Sequence, residues 1–333
     1  MNPLPIADLH CDLLSYLASS NKHSAMDTDE IGCALPHLNA GNVKFQVLAI
    51  FSPTMPTSSR SGLAQANHFR QLVANYPQMA TDSSQLEQAG VLPSKGPTTF
   101  MVSIESGSAF SEEGENLKDS FNRYKEIEKI VGKVLYVSLT HHHENRFGGG
   151  NYTEVGLKPD GLAFLEFLHG KGTAIDLSHT SRKLAHDILN ALDKHSLNVP
   201  VLASHSNYDK VWPHPRNLTD ELAKGIIEKG GLIGVNFLRA FVDNDHPETL
   251  YEHILRGFSM GDGGNHMAFG ADFFYTKAMN KPEREPFFYP TFSDARAYQP
   301  MFGQLLEKGL SPAQVEGLAY KNFMSFFKEK CLS

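Results

Sequence analysis

The amino-acid sequence predicts a (β/α)8 barrel. Short β-branched or apolar runs recur along the 333 residues, and each is followed by a longer segment with helical periodicity. Eight such runs are present, and eight strand–helix units in a chain of this length favour a closed barrel over an open doubly wound sheet. We therefore expect residues 1–333 to form a single (β/α)8 domain.

The eight predicted strands cover residues 6–10, 43–51, 98–105, 134–141, 173–179, 199–205, 232–237 and 267–273. Helix signals lie between them. Residues 178–181 offer capping residues before one apolar stripe, and Thr219 is a typical cap before another. Ser311 to Gln314 has the order of a capping box with a proline at the first helical position. These stripes indicate helices that pack on a barrel.

Two regions are longer than a simple strand–helix unit requires. Residues 52–97 form a predicted insertion that contains a helix-like segment near 62–76. Residues 276–300 are rich in proline and aromatic residues and are predicted to form a long loop, which could be a lid, a subunit contact or a packed insertion. Residues 148–150, three consecutive glycines, are expected to form only a flexible turn.

Composition limits the class of partner. Hydrophobic residues make up 41% and charged residues 20% of the chain, as in ordinary globular proteins. The formal charge of −7 is spread without long runs, which argues against binding to nucleic acid or to an anionic membrane. A small-molecule partner is therefore expected.

The cysteines and the apolar segments bear on location. Cys11, Cys33 and Cys331 are odd in number and have no Cys-x-x-Cys spacing, so neither a disulfide framework nor a thiolate zinc site is expected. No signal core or membrane-length apolar stretch is visible. These observations favour a cytoplasmic protein.

The first apolar run of the chain carries a histidine at the end of the first predicted strand and a carboxylate two residues later. Because side chains alternate along a strand, His10 and Asp12 are expected on one face, with Cys11 on the other. A nitrogen and an oxygen donor aimed at one point suit a divalent metal such as zinc. A single His-x-Asp is usually accidental, so this interpretation depends on the remaining strands.

Polar residues also end most of the other predicted strands, where a barrel of this kind has its active site. These residues are Glu105, His141, His179, His205 and Asp272. Together with His10 and Asp12 they would be costly to bury without a metal. Two divalent ions would explain them, one held by His10 and Asp12, the other by His179 and His205, with Glu105 as a bridge and a bridging water as nucleophile.

The remaining two residues suit other roles. Asp272 is the candidate acid–base group, and His141 is the candidate donor to the oxyanion. His142 is expected on another face by alternation, and Asp8 and Asp176 either support the site or belong to barrel layers.

Several collinear segments resemble the membrane dipeptidases, also called renal dipeptidase-like enzymes or peptidase family M19, within the amidohydrolase group of barrels. They are residues 8–12 (Asp-Leu-His-Cys-Asp), 103–107 (Ser-Ile-Glu-Ser-Gly), 139–141 (Leu-Thr-His), 176–181 (Asp-Leu-Ser-His-Thr-Ser), 203–206 (Ala-Ser-His-Ser), 215–218 (Pro-Arg-Asn-Leu), 234–237 (Gly-Val-Asn-Phe) and 269–273 (Phe-Gly-Ala-Asp-Phe). The resemblance implies a binuclear zinc dipeptidase with Glu105 as the bridging carboxylate. It also implies that Arg216 binds the substrate carboxylate. Leu238 departs from the mammalian members, which have a tyrosine there, and puts the preferred substrate in question.

The sequence thus predicts a zinc-dependent dipeptidase, with L-Xaa-D-Xaa dipeptides as candidate substrates, two Zn²⁺ ions per chain and a possible homodimer. Two alternatives stay open. One is another amidohydrolase, such as an N-acyl amino acid deacylase, and the other is a barrel that binds metal or peptide without hydrolysis.

Overall fold

The computed structural model describes residues 3–332, and its strands form one parallel sheet. The strands are β1 (Ile6–Cys11), β2 (Val43–Phe51), β3 (Ala80–Asp82), β4 (Thr98–Glu105), β5 (Val134–Ser138), β6 (Ala174–Asp176), β7 (Val201–Ala203), β8 (Leu232–Val235) and β9 (Met267–Phe269). Their order is β2-β1-β9-β8-β7-β6-β5-β4, and β2 also pairs with β4. This pairing closes the sheet, so the predicted (β/α)8 barrel is confirmed.

Strand β3 lies outside the ring of eight. It pairs with the first three residues of β4, whereas β2 pairs with seven residues of β4, from Thr99 to Glu105. A three-residue strand is too short to show an alternating pattern, which explains why the sequence did not predict it.

The eight predicted strands are all present, but several end earlier than expected. The predicted strands 134–141, 173–179 and 199–205 correspond to β5, β6 and β7, each of which stops before its terminal histidine. Those histidines lie on the loops that leave the barrel mouth. His179 and Asp272 have φ angles of 63° and 66°, which lie in the left-handed region and outside the β region of regular strands.

The helices are α1 (Leu13–Ser19), α2 (Leu35–Ala40), α3 (Ser58–Asn75), α4 (Ser84–Ala89), α5 (Leu117–Val131), α6 (Pro159–Leu168), α7 (Arg182–Lys194), α8 (Asp220–Glu228), α9 (Arg239–Val242), α10 (Thr249–Phe258), α11 (Tyr298–Glu307), α12 (Pro312–Glu316) and α13 (Asn322–Phe326). The three predicted caps are confirmed. Ser181 and Thr219 accept hydrogen bonds from Leu184 and Leu222, and Ser311 forms a complete capping box with Gln314. Among the described residues, no helix is both long and apolar enough to cross a membrane.

The C-terminal helices close one end of the barrel. Phe323, Phe326 and Phe327 are buried against interior residues of the strands, and the ring of Phe323 stacks on that of Phe45 with centroids 4.2 Å apart. Burial of each phenylalanine contributes about 1.5–3 kcal/mol. With the amino-terminal end filled in this way, the site lies at the carboxyl end.

Two irregular segments frame that carboxyl end. After β9, the chain makes short 3-10 turns at Thr276–Met279, Pro282–Arg284, Pro290–Phe292 and Ala295–Ala297 before α11 begins. Residues 148–150, expected to be only a flexible turn, instead pack closely. The backbone carbonyl of Gly149 accepts a hydrogen bond from Ser181, and a Cβ on Gly150 would lie 2.2 Å from the carbonyl oxygen of His141. Glycine is therefore required at residue 150.

Candidate metal centre and active site

The predicted site residues meet at the carboxyl end of the barrel, although they come from distant parts of the sequence. His10 and Glu105 lie at the ends of β1 and β4, and the others lie on the loops that follow strands. They are Asp12, His141, His179, His205 and Asp272. Strand alternation was applied to Asp12 in the sequence, but Asp12 lies just after β1, at the N-cap position of α1. Its side chain does not cap the helix and is available to the site.

The ring of His10 is fixed by a tyrosine inside the barrel. Tyr136 Oη lies 2.8 Å from His10 Nδ1 and donates its proton to the carbonyl oxygen of Leu9 at 2.7 Å. Because the tyrosine proton is used in that bond, Nδ1 of His10 must be the donor to Tyr136. Nε2 therefore faces the barrel mouth.

His179 and His205 have the same arrangement. Nδ1 of His179 lies 3.3 Å from Asn151 Oδ1, which accepts its proton, and Nδ1 of His205 lies 2.6 Å from Ser204 Oγ. The two Nε2 atoms are 2.9 Å apart. Burial lowers the pKa of His179 and of His205 well below the usual range, so both imidazoles are neutral.

Glu105 lies between the histidines. Its Oε2 is 3.4 Å from His10 Nε2, and its Oε1 is 2.9 Å from His179 Nε2 and 3.8 Å from His205 Nε2. The two oxygens of one carboxylate thus face different ring nitrogens, which is the arrangement that a bridging ligand needs.

Asp12 and Asp272 complete the cluster. Asp272 Oδ1 is 3.7 Å from His10 Nε2, and its Oδ2 accepts a hydrogen bond from Asn236 Nδ2 at 2.9 Å. One ligand atom from each of His10, Asp12 and Asp272 lies within 4.8 Å of the others, and the same holds for His10, Glu105 and His205.

The pKa values of the clustered side chains are shifted by burial and by the charges of their neighbours. Burial alone lowers the pKa of His10, but the neighbouring Glu105, with Asp12 and Asp272, raises it to about 10. Burial raises the pKa of Asp272 to about 6 and that of Asp12 well above its usual range. Burial also acts to raise the pKa of Glu105, but His10 and His179 lower it well below the usual range.

These residues fit divalent metal ions. Imidazole nitrogens and carboxylate oxygens are the donors that zinc takes in catalytic sites. His10 Nε2 and Asp12 Oδ1 are buried and have no hydrogen-bond partner within residues 3–332. Buried polar atoms without partners are costly, and a cation between them removes that cost.

His141 and His142 lie on the open side of the cluster. His141 Nε2 is 3.6 Å from Glu105 Oε1, and burial lowers the pKa of His141 to about 3, so the ring is a neutral hydrogen-bond donor. His142 also lines the cavity, and its Nδ1 lies 3.1 Å from Asn151 Oδ1. The expectation that His142 faces elsewhere is wrong, because this segment is a loop and strand alternation does not apply.

Arg216 lies beside the cluster. Its guanidinium donates to Ser206 Oγ at 3.1 Å and to the carbonyl oxygen of His205 at 2.9 Å, and it packs 5.4 Å from the ring centroid of Phe241. The side chain is buried, yet its Nε has no hydrogen-bond partner and no carboxylate lies within 4.0 Å among the described residues. Burial accordingly lowers the pKa of Arg216.

A cavity of about 1020 Å³ opens above the cluster. Asp12, Glu105 and Asp272 form part of its floor, and the segment after β9 forms part of its wall. Aromatic side chains outside that segment line much of the rest, namely Tyr16, Phe51, Tyr152, Trp212 and Phe241. Leu238 also lines the cavity, so its side chain can contact a bound molecule.

Two residues that orient the histidine rings were missed in the sequence. Tyr136 lies in the apolar run of β5, where nothing distinguishes a tyrosine with a bound hydroxyl from one that only fills the core. Asn151 lies on the loop whose path depends on the close packing of residues 148–150. The alternation of β5, which places Tyr136 and Ser138 on one face, could have indicated Tyr136 alone.

The chain is similar to known proteins over its whole length. Residues 1–331 match the family described as membrane dipeptidase (peptidase family M19). An uncharacterized dipeptidase of Schizosaccharomyces pombe is 25% identical over 353 residues, which cover 97% of this chain and 80% of that protein. The crystal structure of dipeptidase AC, a metallopeptidase of family M19, covers all of both chains with a TM-score of 0.82 at 18% identity.

A second solved structure is equally similar in fold. It is a metallopeptidase from Rhodobacter sphaeroides with a bound phosphinate mimic of the dipeptide L-Ala-D-Ala. The similarity covers 99% of this chain and 100% of that chain, with a TM-score of 0.82 at 17% identity. These two structures support the same barrel fold.

Proposed function

The chain belongs to the membrane dipeptidase family, peptidase family M19, and from this premise we propose that it is a zinc-dependent dipeptidase that cleaves L-Xaa-D-Xaa dipeptides. The observation that carries the proposal is the position of Glu105. Its two oxygens face His10 on one side and His179 and His205 on the other, at 2.9–3.8 Å. This geometry supports two metal ions that share one carboxylate.

We propose that His10 and Asp12 hold one ion and that His179 and His205 hold the other, with Glu105 common to both. When bound, two Zn²⁺ ions would supply a bridging hydroxide as the nucleophile and polarise the scissile carbonyl. The fixed Nδ1 hydrogen bonds of His10, His179 and His205 support this assignment because they occupy each Nδ1, so that Nε2 is the ring nitrogen that would bind a metal.

The other residues are proposed to handle protons and charge. Asp272 lies at the floor of the cavity and accepts a hydrogen bond from Asn236, so its carboxylate is held where it can accept a proton and pass it to the leaving amine. His141 is neutral and lines the same cavity, and its N–H is proposed to stabilise the developing oxyanion.

Arg216 is proposed to bind the substrate carboxylate. A buried guanidinium without a carboxylate partner carries an uncompensated charge, which is costly, and an anionic ligand would neutralise that charge. Arg216 does not itself line the cavity, but it packs against Phe241 and follows closely on His214, which both do. We expect the substrate carboxylate to enter between these two side chains.

The preference for a D-residue at the C-terminal position rests on the Rhodobacter sphaeroides metallopeptidase, whose bound molecule mimics L-Ala-D-Ala. We further propose that residues 1–333 form one catalytic domain and that two chains form a homodimer through the segment 276–300. We also propose a cytoplasmic setting, in which the buried thiols of Cys11, Cys33 and Cys331 would stay reduced.

A panel of dipeptides with added zinc tests the proposal. We expect hydrolysis of L-Xaa-D-Xaa and L-Xaa-L-Xaa dipeptides and no cleavage of N-acyl amino acids, which lack the free amine of a dipeptide. Cleavage of N-acyl amino acids alone would favour the deacylase, and zinc binding with no turnover of any compound would favour a non-catalytic barrel.

A further inference from the structure

Asp176, the last residue of β6, is a buried carboxylate that the proposed reaction does not use. Four donors point at it. Its Oδ1 accepts from the backbone N–H of Ser178 and of Ser204 at 2.9 and 2.8 Å. Its Oδ2 accepts from the hydroxyls of Ser138 and of Ser204, both at 2.7 Å.

Ser204 connects this carboxylate to a candidate metal ligand. Its Oγ lies between Asp176 Oδ2 at 2.7 Å and His205 Nδ1 at 2.6 Å, and a third neighbour, Ser178 Oγ, is farther away at 3.4 Å. A serine hydroxyl has a single proton, and a carboxylate accepts but cannot donate. The proton of Ser204 therefore lies toward Asp176, and Ser204 Oγ accepts a proton from His205.

We propose that Asp176 is a positioning residue that acts through Ser204 to keep the ring proton of His205 on Nδ1, so that Nε2 is free to bind metal. The inference rests on the proposed function, because it assigns a purpose to the free Nε2. A neutral imidazole has one N–H, so the nitrogen that carries the proton decides which nitrogen can be a ligand.

The substitution Asp176→Asn reverses this arrangement in a way that the structure specifies. Two backbone N–H groups point at Oδ1, so the amide oxygen must take that position. The amide NH₂ then takes the position of Oδ2 and donates to Ser204 Oγ, which turns the hydroxyl proton of Ser204 toward His205. We expect His205 to become protonated on Nε2 and to lose affinity for metal.

Two serines supply a matched pair of variants. Ser138 and Ser204 are both fully buried, and both donate to Asp176 Oδ2 at 2.7 Å, but only Ser204 contacts His205. Ser204→Ala and Ser138→Ala thus remove the same kind of hydrogen bond from the same oxygen. Even if Asp176→Asn does not fold, this pair tests whether the contact through Ser204, and not the mere loss of a hydrogen bond to Asp176, fixes the His205 proton.

The experiment uses the full chain and two measurements. The ¹⁵N chemical shifts of the His205 ring in the metal-free chain report which nitrogen is protonated, and competition with a chromophoric chelator reports Zn²⁺ affinity. We expect Ser204→Ala and Asp176→Asn to move the His205 proton off Nδ1 and to weaken one of the zinc sites by about 10–100-fold. Ser138→Ala should change neither.

Unchanged His205 shifts and zinc affinity in Ser204→Ala would overturn the inference, as would equal losses in both serine variants. A failure of the proposed function would give a different result, because the wild-type chain would then bind no zinc. The ¹⁵N shifts of the His205 ring would still show whether Asp176 controls the His205 proton.

Discussion

The substitution Asp272→Asn tests the proposed proton transfer. Asp272 Oδ2 accepts a hydrogen bond from Asn236 at 2.9 Å, so the amide oxygen of the variant must take that position. The NH₂ group then replaces Oδ1, which lies 3.7 Å from His10 Nε2 at the cavity floor. A proton acceptor is thereby replaced by a donor of nearly the same shape.

The expected loss follows from the role of the carboxylate. General acid–base groups contribute about 10²- to 10⁴-fold to turnover, or about 2.7–5.4 kcal/mol of transition-state stabilisation. We expect kcat to fall by that factor while KM for a dipeptide changes little, because the contacts of Arg216 are untouched.

The assay is steady-state hydrolysis of a dipeptide, with zinc content measured on the same samples. Asp262→Asn is a matched control, since Asp262 precedes β9 at the opposite end of the strand and bonds to His266. Residues at that end of a barrel contribute to stability and not to chemistry. The control should keep its kcat.

Turnover of Asp272→Asn within a few-fold of wild type would refute the proposed role. Loss of bound zinc together with activity would also contradict it, and would instead identify Asp272 as a ligand, which its closeness to His10 and Asp12 allows.

Four further variants test other parts of the structure. Tyr136→Phe removes the only side-chain partner of His10 Nδ1 in the described structure. Denaturation of the metal-free protein should show an unfolding free energy lower by about 1–3 kcal/mol, and chelator competition should show zinc binding weaker by about 10–100-fold. Unchanged zinc affinity would contradict this expectation. Arg216→Lys keeps the charge but loses the planar pair of donors, so KM for a dipeptide should rise about tenfold or more with a smaller change in kcat. An unchanged KM would show that Arg216 does not bind the substrate. Gly62→Ala places a Cβ 2.0 Å from a backbone carbonyl oxygen and should destabilise the protein by about 1–3 kcal/mol. In Gly303→Ala the added Cβ meets nothing within 4 Å, so this variant should be more stable by up to about 1 kcal/mol. Thermal denaturation of both variants checks the opposite signs.

Much of the site could be predicted because a barrel brings strand ends together. His10 lies on β1 and Glu105 on β4, and the direction of parallel strands alone predicted that both side chains lie at one end of the barrel. His10 Nε2 and Glu105 Oε2 are indeed 3.4 Å apart. Polar residues at the ends of apolar runs were therefore informative without any knowledge of the loops.

The contacts that orient the site could not be predicted in the same way. Asn151 reaches His179 only because residues 148–150 pack closely against neighbouring backbone, and no local pattern encodes that path. His142 was assigned to the wrong face because alternation was applied beyond the end of β5 at Ser138. Such details depend on tertiary packing and not on periodicity.

The metal content of the purified chain, measured after equilibration with excess zinc and removal of unbound ions, tests the central claim most directly. We predict two zinc ions per chain, and loss of one of them in Glu105→Gln, because the shared carboxylate is gone. Wild-type protein that retains no metal, or Glu105→Gln that still holds two ions with unchanged affinity, would contradict the account.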